Sequence, residues 1–436
     1  MSSVAIGFIG IFVLLLLLAL KVPIGVALGL VSLTGITILR SFQAAYGALG
    51  SIPFDFAAHW SLSAVPMFLL MGSIAYHSGL TSSLFTAARV WLSFLPGGLA
   101  VASNFASAGF AAASGSSLAT AAAMGRLAIP EMLKRGYDPA LATGVVAAGG
   151  TLGSLIPPSI LIVLYGWVAE QPIGKLLIAG IIPGILTALV YTAMVVIRCM
   201  VKPELAPRIH ETVSWSERWA VMRQVWPLPL LILGVIGGIY SGFTTPTEAG
   251  AFGAVLAIVI ALLQGRLTKE VVKNSLSEAL ESTSAIFFVG IGAVLFARFI
   301  GFSGIPDYLA GFIEAYALNP LVLVIGASLI YILLGMFLDP IGLMLITLPI
   351  LLPMFEAANL DLIWMGIIII KYLEIGLLTP PVGLNAYVIK GVVGDQVALS
   401  TIFRGLTWFI FAEAIIMAIL IGFPDMVTFL PELMAD

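Results

Sequence analysis

No charged residue occurs between Asp138 and Glu170, between Glu314 and Asp339, or between Asp339 and Glu356. The first two of these runs exceed the roughly 20 residues needed to cross a bilayer, and the third adds an apolar stretch only one acid away from the second. They are interrupted by Gly and Pro rather than by charge, and they do not alternate with the period of two that a transmembrane β-barrel requires. Composition agrees: 61% of the 436 residues are hydrophobic and 9% charged. A water-soluble domain has a large polar surface to fill and carries about 25% charged residues. The chain therefore reads as an all-α polytopic membrane protein, which excludes a cytosolic enzyme, a disordered tail, a collagen and a disulfide-stapled secreted module.

Few other functions survive this composition. A formal net charge of −3 supplies no basic face for nucleic acid. The single Cys199 has no internal disulfide partner, and His59, His77 and His210 lack zinc-ligand spacing. Residues 1–20 lack the positive start of a secretory signal and read as a retained first span, with the N-terminus outside.

Breaks at Gly, Pro and charge clusters place spans at about 4–20, 23–40, 61–78, 139–168, 174–199, 226–241, 247–264, 284–300, 362–389 and 405–423. Two longer stretches, 98–130 and 320–354, read as re-entrant helical hairpins. The positive-inside rule supports that topology. Of nineteen Lys and Arg residues, all but Arg40, Lys175, Arg298 and Lys371 then fall on the cytoplasmic side. Single crossings at the hairpins would scatter them. The hydrophilic segment 201–223 reads as an interfacial helix.

The chain repeats itself at an offset of 223 residues. GTLGSLIPPSIL at 150–161 aligns with LEIGLLTPPVGL at 373–384, matching Gly153 to Gly376, Leu155 to Leu378 and Pro157-Pro158 to Pro380-Pro381. Pro130 falls on Pro353 at the same offset, and Ser78-Gly79-Leu80 resembles Ser303-Gly304-Ile305 with a two-residue slip. Under the topology above, the copies enter the membrane from opposite sides. Inverted repeats with matched Gly/Pro interruptions mark secondary transporters with a site near the bilayer midplane. The division expected is 1–60 as N-terminal scaffold and 61–200 as the first repeat, with hairpin 98–130 and broken helix 139–168. Residues 201–283 form linker and scaffold, and 284–436 the second repeat with hairpin 320–354, broken helix 362–389 and a last helix.

Each double proline removes two backbone donors and forces the preceding residue out of helical geometry. The carbonyls so freed cannot face lipid and must face protein, water or a cation. Thr151, Ser154 and Ser159 flank the first break; Thr379 and Asn385 flank the second. The first hairpin turns at Ser114-Gly115-Ser116-Ser117. At the equivalent place in the second, Asp339 aligns with Ser116 and either caps the next half-helix or sits beside a cation. Lys371 and Glu374 stand three apart on one helix face and are expected to neutralise each other. Lys371 reaching an anionic substrate is the alternative. Glu413 interrupts the last span and is expected to face a buried partner or another subunit. Glu248 in TTPTEAG reads as a helix N-terminal acid.

SGSSLATAAAMG, GTLGSLIPPSI, AGIIPG at 179–184, TPTEAG, LDPIGLMLITLPILLP and EIGLLTPPVGLNAY, in this order and spacing, resemble the large (DctM-type, M) membrane subunit of tripartite ATP-independent periplasmic (TRAP) transporters. The Lys371-Tyr372 pair departs from the uncharged residues more usual there. The resemblance implies sodium-coupled uptake of a small organic anion, carboxylate or sulfonate, across the bacterial inner membrane by an elevator motion. It implies two partners: a four-helix small membrane subunit (Q type) and a periplasmic substrate-binding protein (P type). The implied sodium positions are Ser114, Ser116, Ser117, Gly153 and Pro157 in the first copy, and Gly335, Asp339, Gly376, Thr379 and Pro380 in the second. Substrate is implied near Ser117, Thr120, Asn385 and Lys371. Sodium is the coupling ion, and no other cofactor is expected. An anion-conducting channel, or a permease subunit driven by another energy source, is the competing reading.

Overall fold

The computed structural model describes residues 2–207, 214–316 and 319–434. Arg208 and His210, and part of the expected interfacial segment, lie outside them. The described residues are helical throughout and contain no strand.

Three helices come first: α1 (Ser3–Ala19), α2 (Ile24–Leu39) and α3 (Phe42–Ala57). Then follow α4 (Ala64–His77), α5 (Ser82–Leu92), α6 (Gly98–Ser114), α7 (Ser117–Lys134), α8 (Pro139–Gly150), α9 (Ile160–Val168), α10 (Ile173–Ala179) and α11 (Ile181–Val201). A middle group holds α12 (Trp215–Val225), α13 (Pro227–Tyr240) and α14 (Pro246–Leu263). The remainder is α15 (Lys269–Ser303), α16 (Ile305–Tyr316), α17 (Pro320–Gly335), α18 (Pro340–Ala357), α19 (Leu362–Leu378), α20 (Leu384–Val393), α21 (Leu399–Gly422) and α22 (Asp425–Glu432).

Both long stretches are hairpins, α6/α7 and α17/α18, and both broken spans are real breaks, α8/α9 and α19/α20. Local chemistry at the 223 offset explains why the copies fold alike. Asp138 caps α8 by accepting the Leu141 amide at 3.0 Å, and Asp361 caps α19 through the Trp364 amide at 2.7 Å. Just before these caps, Gly136 (φ 77°) and Asn359 (φ 53°) make the same left-handed turn. Ser116 and Asp339 cap the second arms of the two hairpins, α7 and α18, from the same register position. Gly79 and Gly304 end α4 and α15 in left-handed geometry. Each such cap satisfies amides that the first turn of a helix leaves without partners.

Three differences from the expected spans have simple causes. α15 runs 35 residues rather than the 284–300 expected. Its polar first half is good helix-forming sequence, capped by Thr268, and at 1.5 Å per residue it extends well past a hydrocarbon core of about 30 Å. The helices α3, α5 and α16 fall outside the expected spans because polar residues interleave their apolar ones. α3 meets the α4 segment at a 53° bend. Among the described residues of 201–223, a short 3-10 turn spans Pro203–Leu205 and an α-helix starts at Trp215, where Ser214 and Glu217 form a capping box. Among the described residues, five helical stretches, α10 and α11 counted as one, are long and apolar enough to cross a membrane, or up to seven counting bent pairs.

The core sits where the repeats meet. α19 is buried from Trp364 to Leu378, and α6 is buried along nearly its whole length by its Ala, Gly and Ser residues. α7 and α21 pack on α8, α17 packs on α19, and α20 of the second copy packs on α7 of the first. At the periphery α1, α3 and α14 expose large apolar side chains such as Phe12, Phe54 and Leu263, as a lipid-facing shell does.

Candidate functional site

In each copy the hairpin tip is pressed against the helix break. A Cβ on Gly153 would stand 2.5 Å from the Ser116 carbonyl oxygen and 2.8 Å from the Thr120 hydroxyl. A Cβ on Gly376 would stand 2.8 Å from Gly335 Cα. Only glycine permits this approach. Just beyond the prolines, the Ile160 amide donates to the Gly115 carbonyl at 3.3 Å, and the Gly383 amide to the Met336 carbonyl at 3.4 Å. Pro157-Pro158 and Pro380-Pro381 are both cis.

The first tip is a cluster of hydroxyls. Ser114 and Thr120 share a hydrogen bond of 2.9 Å, and Thr120 also donates to the Ser116 carbonyl at 2.8 Å. Ser117 lies 2.6 Å from Ser154 at the break. Ser159 bonds the Ser154 carbonyl and caps α9. Pro157 and Pro158 are buried, as are Ser114, Ser117, Thr120 and Gly153. In the second copy Asp339 caps α18 through the Gly342 amide at 3.0 Å, and Thr379 donates to the Ile375 carbonyl at 2.6 Å. Gly335 and Gly376 are buried, but Pro380 and Phe337 are exposed.

A second set of groups, invisible in the linear sequence, surrounds the first tip. Glu374 comes from the second copy, yet Ser117 lies 2.7 and 2.8 Å from its two carboxylate oxygens. Ser154, 2.6 Å from Ser117, stands beside them. The expected neutralisation of Glu374 by Lys371 is therefore corrected. The Lys371 ammonium lies 2.5 and 2.7 Å from the two oxygens of Glu413 and 3.3 Å from Thr187. Tyr191 donates to Glu413 at 2.5 Å. A tertiary carboxylate held by further hydrogen bonds outcompetes a neighbour on the same helix, whose pairing is worth only about 0.2–0.5 kcal/mol. Lys371 is 1% exposed and committed to this pair, so its ammonium is not presented to a cavity. Glu413 has the buried partner expected of it. Glu248 caps α14 in a box with Thr245, as its place in the sequence suggested.

Asn385 is fully buried; its amide donates to the Ala147 carbonyl at 3.0 Å, and its Oδ1 has no partner. A cavity of about 410 Å³ reaches the first tip at Ser114 and Ser116 and is lined further by Tyr76, His77, Arg126 and Glu278. Arg126 donates to Tyr76 at 3.1 Å, and Glu278 accepts from Ser73 at 2.6 Å and contacts His77 at 2.8 Å. A larger cavity of about 840 Å³ lies among His59, Trp167, Gln171, Thr245, Leu345 and Pro349.

Residues 11–426 match the family described as the tripartite ATP-independent periplasmic transporter, DctM component. The chain belongs to that family. It is 37% identical over 380 residues to the C4-dicarboxylate TRAP transporter large permease protein DctM of Pseudomonas aeruginosa, covering 87% of this chain and 86% of that one. To the sialic acid TRAP transporter large permease protein SiaM of Vibrio cholerae it is 32% identical over 422 residues, 96% of each. It is also 32% identical to the isethionate TRAP transporter permease protein DctMQ of Oleidesulfovibrio alaskensis, over 88% of this chain and 60% of that one. Two transporter structures share the fold: Alcanivorax borkumensis YdaH (TM-score 0.63, 14% identity, 89% of this chain and 91% of that one) and Neisseria gonorrhoeae MtrF (0.55, 18%, 87% and 85%). As a TRAP large permease subunit the chain is a membrane transport component and not an enzyme.

Proposed function

We propose that this DctM component carries sodium-coupled uptake of a small organic anion, a carboxylate or sulfonate, across a bacterial inner membrane. The observation that carries the reading is the twofold recurrence of one junction: a hairpin tip locked to a helix break by a glycine contact and a backbone hydrogen bond. Unwound carbonyls at half-helix ends attract hard cations, while half-helix N-termini attract anions.

In the first copy, oxygens of Ser114, Ser116 and Ser117 with the Gly153–Pro157 break supply a sodium site. In the second, Gly335 and Asp339 with Gly376, Thr379 and Pro380 supply another. Substrate binds between the tips, touching Ser117, Thr120 and Asn385; Lys371 supports it only through its pair with Glu413. An anion and its sodium ions travel as a near-neutral unit, so binding of each strengthens the other reciprocally. The hairpins and broken helices move as a body against α2, α4, α14 and α15 in an elevator stroke, with the N-terminus periplasmic. A Q-type four-helix subunit braces that scaffold, and a P-type periplasmic protein delivers the anion. The naming of relatives after C4-dicarboxylates, sialic acid and isethionate supports an anionic substrate.

The test is uptake by the complete complex in proteoliposomes, supplied with its loaded binding protein. An inward sodium gradient is expected to drive accumulation, and replacing sodium by choline to stop it. Accumulation indifferent to sodium, or unitary conductance in a planar bilayer, would overturn the reading. Ser117→Ala and Asn385→Ala are expected to weaken uptake while the complex still assembles.

A further inference from the structure

Two arginines sit where neither the expected distribution of charge nor a neighbouring acid accounts for them. Arg40 and Arg298 are among the four basic residues that the expected topology leaves off the cytoplasmic side. Lys371, another of the four, is answered by Glu413. Among the described residues, Arg40 and Arg298 have no ion pair and no hydrogen bond. Both are exposed, and both guanidiniums stack on one ring, that of Phe302, with Cζ at 5.1 and 6.0 Å from its centroid. Two positive charges are thus gathered at one place, near the C-terminal ends of α2 and α15.

The surface beside that place is grooved, and the grooves are apolar. One, of about 270 Å³, runs between α1 and α2, walled by Ile9, Val13, Leu30 and Ile38 and floored by Phe299. Its floor is closely built: a Cβ on Gly10 or Gly35 would overlap the Phe299 ring, so glycine lets three helices close up beneath it. A second groove, of about 380 Å³, runs between α2 and α3 past Leu33, Phe42, Tyr46 and Leu49. Thr34 and Ile38 line both. The grooves therefore flank one ridge of α2, and Arg40 follows that ridge in the chain. Phe42 and Tyr46 stack at 6.3 Å and lie exposed, an aromatic pair of the kind that marks a membrane–water interface.

We propose that Arg40 and Arg298 hold an anionic phospholipid, with its phosphate against the two guanidiniums and its two acyl chains in the two grooves. Charge selects the headgroup. A guanidinium binds phosphate through paired N–H donors, and the bond strengthens where water is scarce. A headgroup with its own ammonium would set a third cation beside the arginines, whereas a glycerol headgroup leaves the phosphate charge uncancelled. Shape selects the tails: two apolar grooves flanking one ridge beside a cationic point match a diacyl lipid. A soluble anion would use the arginines and leave the grooves bare. The lipid would tie α1, α2 and α3 to α15, helices at the edge of the molecule, and its binding does not depend on sodium coupling.

The experiment places the purified complex of this chain with its small subunit in phosphatidylcholine nanodiscs and titrates in phosphatidylglycerol. It reads melting temperature and, by native mass spectrometry, the lipid retained after transfer to detergent. The wild type is expected to gain stability from phosphatidylglycerol and to retain one such lipid per chain; indifference to it would overturn the proposal. Arg40→Gln and Arg298→Gln are each expected to raise the half-saturating lipid fraction about fivefold, and the double variant about twenty-five-fold. Lys21→Gln, beyond the other end of α1, is expected to change nothing. An unchanged titration in the double arginine variant would overturn the proposal, and so would an equal shift in Lys21→Gln, which would reduce the effect to general surface charge. Glycerol phosphate added to pure phosphatidylcholine discs is expected to have no effect; a response equal to that of the lipid would leave the grooves idle and overturn it. Ile38→Trp fills the wall shared by the grooves while keeping both arginines, and is expected to weaken retention in a complex that still assembles. Should the arginine variants fail to assemble, Ile38→Trp still decides, because full retention would overturn the proposal. Loss of the small subunit from Ile38→Trp would overturn it as well, by showing that a protein helix occupies the groove.

Discussion

The two hairpin tips have one backbone and opposite chemistry. At the first, Ser114, Ser117, Thr120 and Ser154 gather buried hydroxyls, with Ser116 half-buried beside them. Their counterparts at the 223 offset are Phe337, Pro340, Leu343, Leu377 and, for Ser116, Asp339. The second tip therefore offers carbonyls and one capping carboxylate, and Phe337 and Pro380 lie open. Duplication preserved what the main chain needs, namely glycines, prolines and caps, and let the side chains diverge. The divergence is directional: the acid that serves the first tip, Glu374, sits where the first copy has Thr151.

The strongest way to break this comparison is to remove the buried charge pair of the second copy, Lys371 and Glu413, to which Tyr191 of the first copy donates. Glu413→Ala leaves the Lys371 ammonium buried without its partner and is expected to cost about 3–5 kcal/mol, as stranded buried charges do. A large fall in melting temperature of the purified complex checks it. Lys371→Met combined with Glu413→Met should restore most of the loss, because an apolar pair of similar volume carries no desolvation penalty.

The glycine junctions sharpen the contrast next. Gly153→Ala drives a methyl against the rigid Ser116 carbonyl, and overpacking of this kind costs about 1–3 kcal/mol. At 1.36 kcal/mol per factor of ten, uptake should fall by up to about a hundredfold. Gly376→Ala meets Gly335 at a slightly longer distance and is expected to cost less. Equal losses in an initial-rate assay would show that the junctions tolerate crowding alike.

Capping gives the smallest effects. Asp339→Ala should destabilise by about 1 kcal/mol, and Asp339→Asn by much less, because Asn caps nearly as well as Asp. If Asp339 also meets sodium, Asp339→Asn will raise the sodium requirement of uptake without moving the melting temperature. Ser116→Ala, which removes the equivalent cap, is the matched control in the first copy.

The skeleton of this fold was readable from the chain because glycine and proline report backbone geometry directly. Gly153, Gly376 and the two proline pairs announced both breaks, and their fixed offset announced the repeat. Apolar length alone marked the hairpins. It could not reveal α5 and α16, whose polar residues interleave with apolar ones, or the polar half of α15. The site was legible on one side only. Ser117 and Ser154 stood out beside a turn and a break, but the carboxylate partner of Ser117 is 257 positions away from it. Spacing along one helix instead suggested Lys371 for Glu374. That inference failed because a distant side chain, Glu413, brought better geometry and a Tyr191 hydrogen bond. Local rules describe what a residue meets within its own helix, and an interior charge chooses among all its neighbours.

The order in which the ribosome delivers these groups gives the Lys371–Glu413 pair a consequence for biogenesis. Lys371 leaves the exit tunnel 42 residues before Glu413, and Tyr191 far earlier. Until the final long helix arrives, an ammonium waits inside the nascent protein without its counter-ion, at a cost of a few kcal/mol on insertion scales. The last helix thus acts as the keystone of the arch. A chain truncated before it would leave the translocon holding an unanswered charge, and cellular quality control would have a concrete feature by which to reject it.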